Sequence, residues 1–450
     1  MLFDLINDTI QKEKLGEEIP FTPTYSGGID VMDYRNGRID HGKVSKGFDG
    51  GRIITVIGKS GSGKSSLALK IACSIVDPYI NGNIFHYDFE RATNTARVKA
   101  ISGWSDDTID KKYKNLQRDI YSESIYKIVK SIDKLKNKPE TYDEIKIDSG
   151  EKDANGDPIY VLPPTVILLD SWALCIPKDI SEEEDLSGQM SATSIARINN
   201  SIIKRLAGPL ERGNIILIAI NHLTQKIEIN AFAKTQAAIN YLKQDESMPG
   251  GTSIIYLANN IIRCTTSTKL DKDSGYGIKG FLVKGEFVKS RSNEAGVSFE
   301  MVFEQSTGFD NVLTNLANFK ELGLLKGSPR AYYLEGCPDI KFTLKTFKTK
   351  YEENEELRDE VQRLVEENYI KFIPHYEKYL TAEEEEKNIE EKPKKETKSK
   401  KSSKKEEVIE EVEDDEISLV ECVDEEQDVW LGSDGNYYTS EGEEVEYEDE

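Results

Sequence analysis

Residues 51–66 read GRIITVIGKSGSGKSS. The apolar run at 53–57 is the length of a short buried strand, and Gly58-Lys59-Ser60-Gly61-Ser62-Gly63-Lys64-Ser65 fits the pattern GxxxxGK[ST]. Leu67, Ile71 and Ile75 follow at intervals of four, which predicts a helix stopped by Asp77-Pro78. A glycine loop between a strand and a helix is the setting this pattern needs. Its glycines let backbone N–H groups curl around phosphate oxygens, and the helix N-terminus adds partial positive charge. Gly58 to Ser66 are therefore candidate ligands of a nucleoside triphosphate. Lys64 is placed to bridge the β- and γ-phosphates and Ser65 to hold Mg²⁺. A Gly/Ser-rich turn matching by chance is the competing reading, and it leaves the flanking strand and helix unexplained.

Outward from this loop the strands continue. Residues 84–89, 165–169 and 215–220 read as further strands, the second of them wholly apolar as a strand buried on both faces should be. Ile195, Ile198, Ile202 and Leu206 mark one helical face, with a break expected at Gly208-Pro209. Strands joined by helices predict an α/β fold with a mainly parallel sheet between two helical layers. After about residue 250, Val297, Phe299, Met301 and Phe303 alternate with Ser298, Glu300, Val302 and Glu304, a pattern of antiparallel strand with one wet face. The expected organisation is a lead-in segment at 1–50, a core at 51–305, a small C-terminal region at 306–380 and a tail. Residues 105–160 look like a charged insertion, helical and then a hairpin about Asn155-Gly156. A short helix is expected at 2–12 and a turn at Gly27-Gly28. Residues 226–248 lack buried periodicity and read as a mobile loop.

The chain has 450 residues and a net charge of −23. Residues 381–450 hold 28 acidic residues and nine lysines, a net of −19, which leaves −4 for the rest. The body can therefore carry a local basic groove, while the tail is a polyanion whose Glu/Lys/Ser runs predict disorder. Five scattered cysteines, Cys73, Cys175, Cys264, Cys337 and Cys422, lack CxxC spacing and fit a reducing cytoplasm rather than a disulfide framework or zinc site. The first residues, MLFDLINDTI, do not resemble a signal peptide, and no apolar run reaches membrane-spanning length. The expectation is a cytoplasmic protein with no membrane contact.

Further residues could carry chemistry. Asp170 ends the strand at 165–169, where a carboxylate can hold the Mg²⁺ shell through water. Glu90 lies just past the neighbouring strand and could polarise an attacking water, although a surface pairing with Arg91 is as ordinary, and Asp88 competes from within the strand. Asn221-His222 closes the strand at 215–220 and leads into the long loop, so His222 could sense the γ-phosphate or be purely structural. Lys289 and Arg291, one residue apart, would share a strand face, either as an arginine-finger-like pair or as a solvated strand end. The loop at 226–248 interleaves Lys226, Lys234 and Lys243 with Phe232 and Tyr241 and is followed by Gly250-Gly251, a composition suited to single-stranded nucleic acid. The other candidate loop, 178–189, is acidic at Glu182, Glu183, Glu184 and Asp185.

Taken in order, SGGIDVMD, GKSGSGKSS, YDFE, VILLDS, GNIILIAINH, MPGGTSIIYLANNIIR and FVKSRS resemble the RecA recombinases, most closely the UvsX recombinases of T-even-like phages, over about residues 26–334. The resemblance implies a RecA-type ATPase core using ATP and Mg²⁺, and a DNA-dependent ATPase filament on single-stranded DNA that exchanges strands with duplex DNA. It assigns Glu90 rather than Asp88 as the catalytic carboxylate and His222 to the position that couples γ-phosphate to DNA. Lys289 and Arg291 would serve the neighbouring subunit's ATP, and 178–189 and 226–248 would be the two DNA loops. Single-strand-binding and mediator proteins would be further partners, and the acidic tail would restrain DNA binding. Arg97 stands where RecA has an adenine-stacking tyrosine, and a guanidinium can also stack. The rival functions are a hexameric helicase on the same core and a regulatory ATPase that does not bind DNA.

Overall fold

The structure is a computed structural model, and it describes residues 12, 21–40, 42–153, 156–182, 189–225, 242, 246–250, 253–273 and 275–377, with four short strands between 419 and 445. The expected helix at 2–12 falls outside these residues except for Lys12, which is helical.

Nine strands build the central sheet: β1 (Ile53–Gly58), β2 (Asn83–Asp88), β3 (Tyr113–Leu116), β4 (Thr165–Asp170), β5 (Ile215–His222), β6 (Asn260–Leu270), β7 (Gly280–Lys289), β8 (Val297–Glu304) and β9 (Gly308–Asp310). Their spatial order is β9-β8-β7-β6-β1-β5-β4-β2-β3. The six strands from β6 to β3 run parallel, and β7, β8 and β9 add antiparallel partners to the β6 edge. The fold is α/β, as the alternation of strand and helix patterns indicates.

Period-two alternation within the wholly buried strands divides the interior into two cores. Ile54, Val56, Val166, Leu168, Ile216, Ile218 and Ile220 face one way and meet Leu67, Ile71 and Ile75 of helix Lys64–Val76. Ile53, Ile57, Ile167, Leu169, Ile215 and Leu217 face the other way and meet helices Ser122–Lys136 and Gln189–Arg212 through Ile125, Val129, Ile203 and Leu206. Each such side chain, taken fully from water, contributes about 2 kcal/mol.

The stretch at 105–160 is woven into this framework. It contributes β3 at the sheet edge and helix Ser122–Lys136 on one face, followed by helix Pro139–Ile145 and the hairpin Ile147–Lys152/Pro158–Val161. The N-terminal segment is sewn to the far side of the sheet by side-chain amides. Asn260 donates to Asn36 Oδ1 at 2.6 Å, Ser290 donates to the same oxygen at 3.0 Å, and Asn259 donates to Asp49 at 3.0 Å. Beyond β9, helices Asn311–Glu321, Phe347–Glu353 and Glu355–Tyr369 and a three-stranded sheet bring Leu316, Phe342, Phe347, Val361 and Tyr369 into the same core as the phosphate-loop helix.

Residues 390–450 form a separate compact unit. Most of the acidic tail lies outside the described residues. Within it, Leu419–Asp424, Val429–Gly432, Tyr437–Tyr438 and Glu444–Val445 pair as a four-stranded antiparallel sheet.

The expected helix break at Gly208-Pro209 does not occur. Helix Gln189–Arg212 runs through Pro209, because Leu206 and Leu210 continue the buried stripe across it and the Pro209 carbonyl still accepts from Gly213 N at 3.1 Å. The packing therefore outweighs a missing N–H and a ring clash that together cost about 3 kcal/mol. Pro209→Ala is expected to raise stability by about 1 to 3 kcal/mol in urea unfolding. A lower midpoint would show instead that the proline ring itself supports the fold.

Candidate functional site

The six parallel strands present their C-terminal ends along one edge of the sheet, and the candidate residues collect there. β1 runs out at Gly58 between β5 and β6, with His222 and Cys264 both in register with it. A Cβ on Gly58 would lie 2.5 Å from the Cys264 carbonyl oxygen and 2.6 Å from Ser62 Oγ, so only glycine lets the loop leave the sheet here. Gly63, at φ 86°, opens helix Lys64–Val76 from the left-handed region. Ser62 Oγ donates to the Lys59 carbonyl at 2.8 Å and Lys64 Nζ donates to the same oxygen at 2.7 Å. Lys64 is buried. Loss of hydration lowers its pKa, while Cys264, Asp170 and Glu90 act to raise it.

Asp170 ends β4 with 2% exposure, and burial pushes its carboxyl up to about 6. The Ser65 hydroxyl bond and Lys64 pull against that rise, and Glu90 and Asp88 add to it. Its Oδ1 is buried and has no hydrogen-bond partner, a costly state for a carboxylate oxygen. Ser65, whose hydroxyl bonds to this carboxyl, completes the donor set that a hydrated Mg²⁺ shared with phosphates would use. Among the described residues no group of three or more His, Cys, Asp or Glu forms a metal site of its own. The residues present fit the cation, with Ser65 and Asp170 as the protein's contribution.

Glu90 and Asp88 are separated by their surroundings. Asp88 is fully buried and accepts from Ala92 N, Thr93 N and Gln117 Nε2, at 3.2, 3.0 and 2.7 Å. Three donors leave it as the structural brace of the turn after β2. Glu90 N instead donates to the Asp170 carbonyl at 3.1 Å, and Glu90 Oε1 lies 2.8 Å from His222 Nε2. The strand-end carboxylate and the strand-end histidine thus meet directly above the phosphate loop.

From His222 the chain enters the long loop, whose base is well tied. Leu223 N donates to the Gly58 carbonyl at 3.2 Å. Thr224–Gln225 pairs antiparallel with Glu246–Ser247, closing the loop at its neck. The buried Asn221 donates to the Pro249 carbonyl at 2.9 Å, and Trp172 Nε1 to the Gly250 carbonyl at 2.9 Å. Lys226, Phe232, Lys234, Tyr241, Lys243 and Gly251 lie outside the described residues, as do 183–188 of the acidic loop. Arg97 docks beside the loop helix, donating to Ser66 Oγ at 2.8 Å and to the Gln305 and Ser306 carbonyls at 3.0 and 3.3 Å. Its guanidinium therefore bridges the phosphate-loop helix and the turn between β8 and β9.

Lys289 and Arg291 are not brought to this cluster. In register Lys289 sits opposite Ile261 and Ile261 opposite Thr55, three residues before Gly58 and so roughly 10 Å back along the sheet. Lys289 is buried and donates to the Ile255 and Tyr256 carbonyls at 2.9 and 2.7 Å, while Arg291 donates to the same Tyr256 oxygen at 3.1 Å. Burial, with Arg291 beside it, lowers Lys289 to about 8. Arg291 lies in the bend after β7 rather than on the strand, and the two cations meet on the Tyr256 carbonyl, away from this chain's own phosphate loop.

The sequence reading passed over a buried ion pair, Arg263 Nη2 to Glu246 Oε2 at 2.9 Å, which joins β6 to the loop neck. An arginine within the apolar run NIIRC was the available signal, since a buried guanidinium requires a partner.

The chain matches no known protein-family model. It is similar to protein RecA of Aquifex aeolicus, at 24% identity over 333 residues, covering 71% of this chain and 79% of the relative. Protein RecA of Lactococcus lactis subsp. cremoris is 23% identical over 345 residues, 75% of each chain. Protein RecA of Mesomycoplasma hyopneumoniae is 26% identical over 360 residues, covering 77% of this chain and 87% of the relative. The chain is a distant homologue of the RecA proteins across about three quarters of its length. No described helix is long and apolar enough to cross a membrane.

Because the folded-state pKa of Asp170 lies above its ordinary value of 3.8, the nucleotide-free fold binds this proton more tightly than the unfolded chain does. Stability from this group is present below pH 4 and is lost as pH rises to about 6. Asp170→Asn is expected to raise nucleotide-free stability at pH 7 by roughly 2 kcal/mol and to flatten its pH dependence between 4 and 6. Thermal unfolding of both proteins across that range measures it, and a variant less stable than wild type at pH 7 would refute the burial argument.

Proposed function

We propose that the chain is an ATP-dependent DNA recombinase of the RecA type, of the kind found as UvsX in T-even-like phages. It assembles on single-stranded DNA as a helical filament and carries out homologous pairing and strand exchange with duplex DNA, in recombination, repair and recombination-dependent replication. It acts in the cytoplasm, with single-strand-binding and mediator proteins as accessory partners.

The observation that carries this reading is the 2.8 Å contact between Glu90 and His222. It connects the carboxylate beside the Mg²⁺ ligand Asp170 to the first residues of the loop that suits single-stranded DNA. Lys64, Ser65 and the loop amides hold ATP and Mg²⁺, and Arg97 supplies a flat cation beside the base. Glu90 orients the attacking water once the γ-phosphate draws His222 away from it. His222 then shifts the strand end, and the loop neck at Thr224 and Ser247 carries that shift to the DNA-facing residues. The placement of Lys289 and Arg291 at the far end of the sheet supports a second copy completing the site. ATP binding, subunit contact and DNA grip become one event. The RecA similarity adds support for this class over a ring helicase or a regulatory ATPase.

Glu90→Gln keeps the shape and loses the charge. Nucleotide affinity and filaments on single-stranded DNA should survive, while DNA-stimulated ATP turnover falls about 100-fold or more. Turnover equal to wild type would remove Glu90 from the mechanism, and wild-type turnover indifferent to single-stranded DNA would favour the regulatory ATPase.

A further inference from the structure

The loop neck is fastened at two points, and only one of them is the His222 strand. The outgoing limb is held by Leu223 N on the Gly58 carbonyl at 3.2 Å. The return limb is held by Glu246, whose carboxylate meets Arg263 at 2.9 Å with both side chains about nine-tenths buried. Arg263 stands on β6 in register with Ile57, and the next residue, Cys264, is in register with Gly58. The Cys264 carbonyl is the atom against which Gly58 packs too closely to carry a Cβ. The outgoing limb is thus anchored to β1, which carries the phosphate loop, and the return limb to β6 beside it. Between them lies a cavity of about 430 Å³, with Lys59 and Ser60 on one side and Thr224, Glu246 and Arg263 on the other.

We propose that the Glu246–Arg263 ion pair is a second link between DNA and nucleotide, registering the return limb of the loop on the β6 side of the phosphate loop. His222 conveys the state of the γ-phosphate to the outgoing limb. The ion pair makes the return limb move with β6, whose Cys264 lies in register with Gly58 of β1, so both ends of the loop respond together. A buried, hydrogen-bonded pair suits this task because it is rigid and specific in direction, whereas apolar packing at the same place would tolerate slippage. Glu246 and Arg263 are positioning residues, and neither is assigned contact with ATP or DNA.

The inference rests on the recombinase reading, and the experiment separates the two. Removing one partner strands a buried charge and destabilises the fold, so the informative variant is the double Glu246→Gln/Arg263→Met, which removes both charges together. Full-length wild type and variant are compared for fluorescent ATP-analogue affinity and for ATP turnover with and without poly(dT). The expected result is unchanged nucleotide affinity with a loss of about tenfold in DNA stimulation, while Arg263→Lys, which keeps the charge but not the planar fork, retains part of the stimulation. A double variant stimulated as strongly as wild type overturns the link. So does a loss of stimulation accompanied by loss of nucleotide affinity, since that marks general damage to the phosphate loop. A wild-type protein that poly(dT) does not stimulate instead sinks the recombinase reading, and this inference with it.

Discussion

Lys64 and Asp170 face each other across the end of a sheet whose strands are buried on both sides. Each has been taken from water with less hydrogen bonding than its charge requires. Lys64 donates to one carbonyl, that of Lys59, and Asp170 keeps one oxygen without a donor. Burial shifts both toward neutrality, the lysine downward and the carboxyl upward. Such an arrangement costs the nucleotide-free fold stability. On the proposed reading, phosphate oxygens reaching Lys64 and a divalent cation reaching Asp170 would offset it. Strain of this sort at a ligand site couples binding to the rigidity of everything packed around it.

What is packed around it decides how far that coupling travels. β1 ends at Gly58 with no side chain between β5 and β6, so the phosphate loop leaves the sheet with His222 in register on one flank and Cys264 on the other. Both strands lead to the neck of one loop. The two strand-end groups that meet there, Glu90 and His222, are about one-third exposed, whereas the braces around them, Asp88, Asn221 and Trp172, are buried. Mobile groups on a rigid frame are what a nucleotide-driven switch needs. The far end of the sheet is equally fixed, with Lys289 buried on the carbonyls of helix Ser253–Leu257 and Arg291 beside it at the surface.

Much of this was legible in the sequence. The strand-loop-helix reading of residues 53–76 and the strand patterns of β2, β4 and β5 depend on local sequence, and local pattern survives in the fold. Other features did not have a local signature. β3 reads YKNL, short and half exposed at a sheet edge, and its pairing with β2 is a long-range fact. Between Asp88 and Glu90 only the family resemblance chose, and the donors from Thr93 and Gln117 that occupy Asp88 are ones no spacing rule places. The large intrinsic cost of Pro209 predicts a helix end, yet the buried Leu210 beyond it carries the helix on. In the tail, average composition concealed LVECVD, VWLG and YY, whose alternation and aromatic content are those of strands. The partner of Arg263 was hidden for the same reason as β3, since Glu246 belongs to a separate element.

The claim on which this account turns is that the ATP site of one copy is completed by cations from the next. Arg291→Ala mixed in increasing proportion with a fixed amount of wild-type protein, in the presence of single-stranded DNA, tests it directly. If Arg291 works across a subunit boundary, ATP turnover should fall more steeply than the inactive fraction rises, because each variant subunit silences a wild-type neighbour. Turnover that equals the sum of the two proteins measured apart, at every ratio, would contradict a shared site.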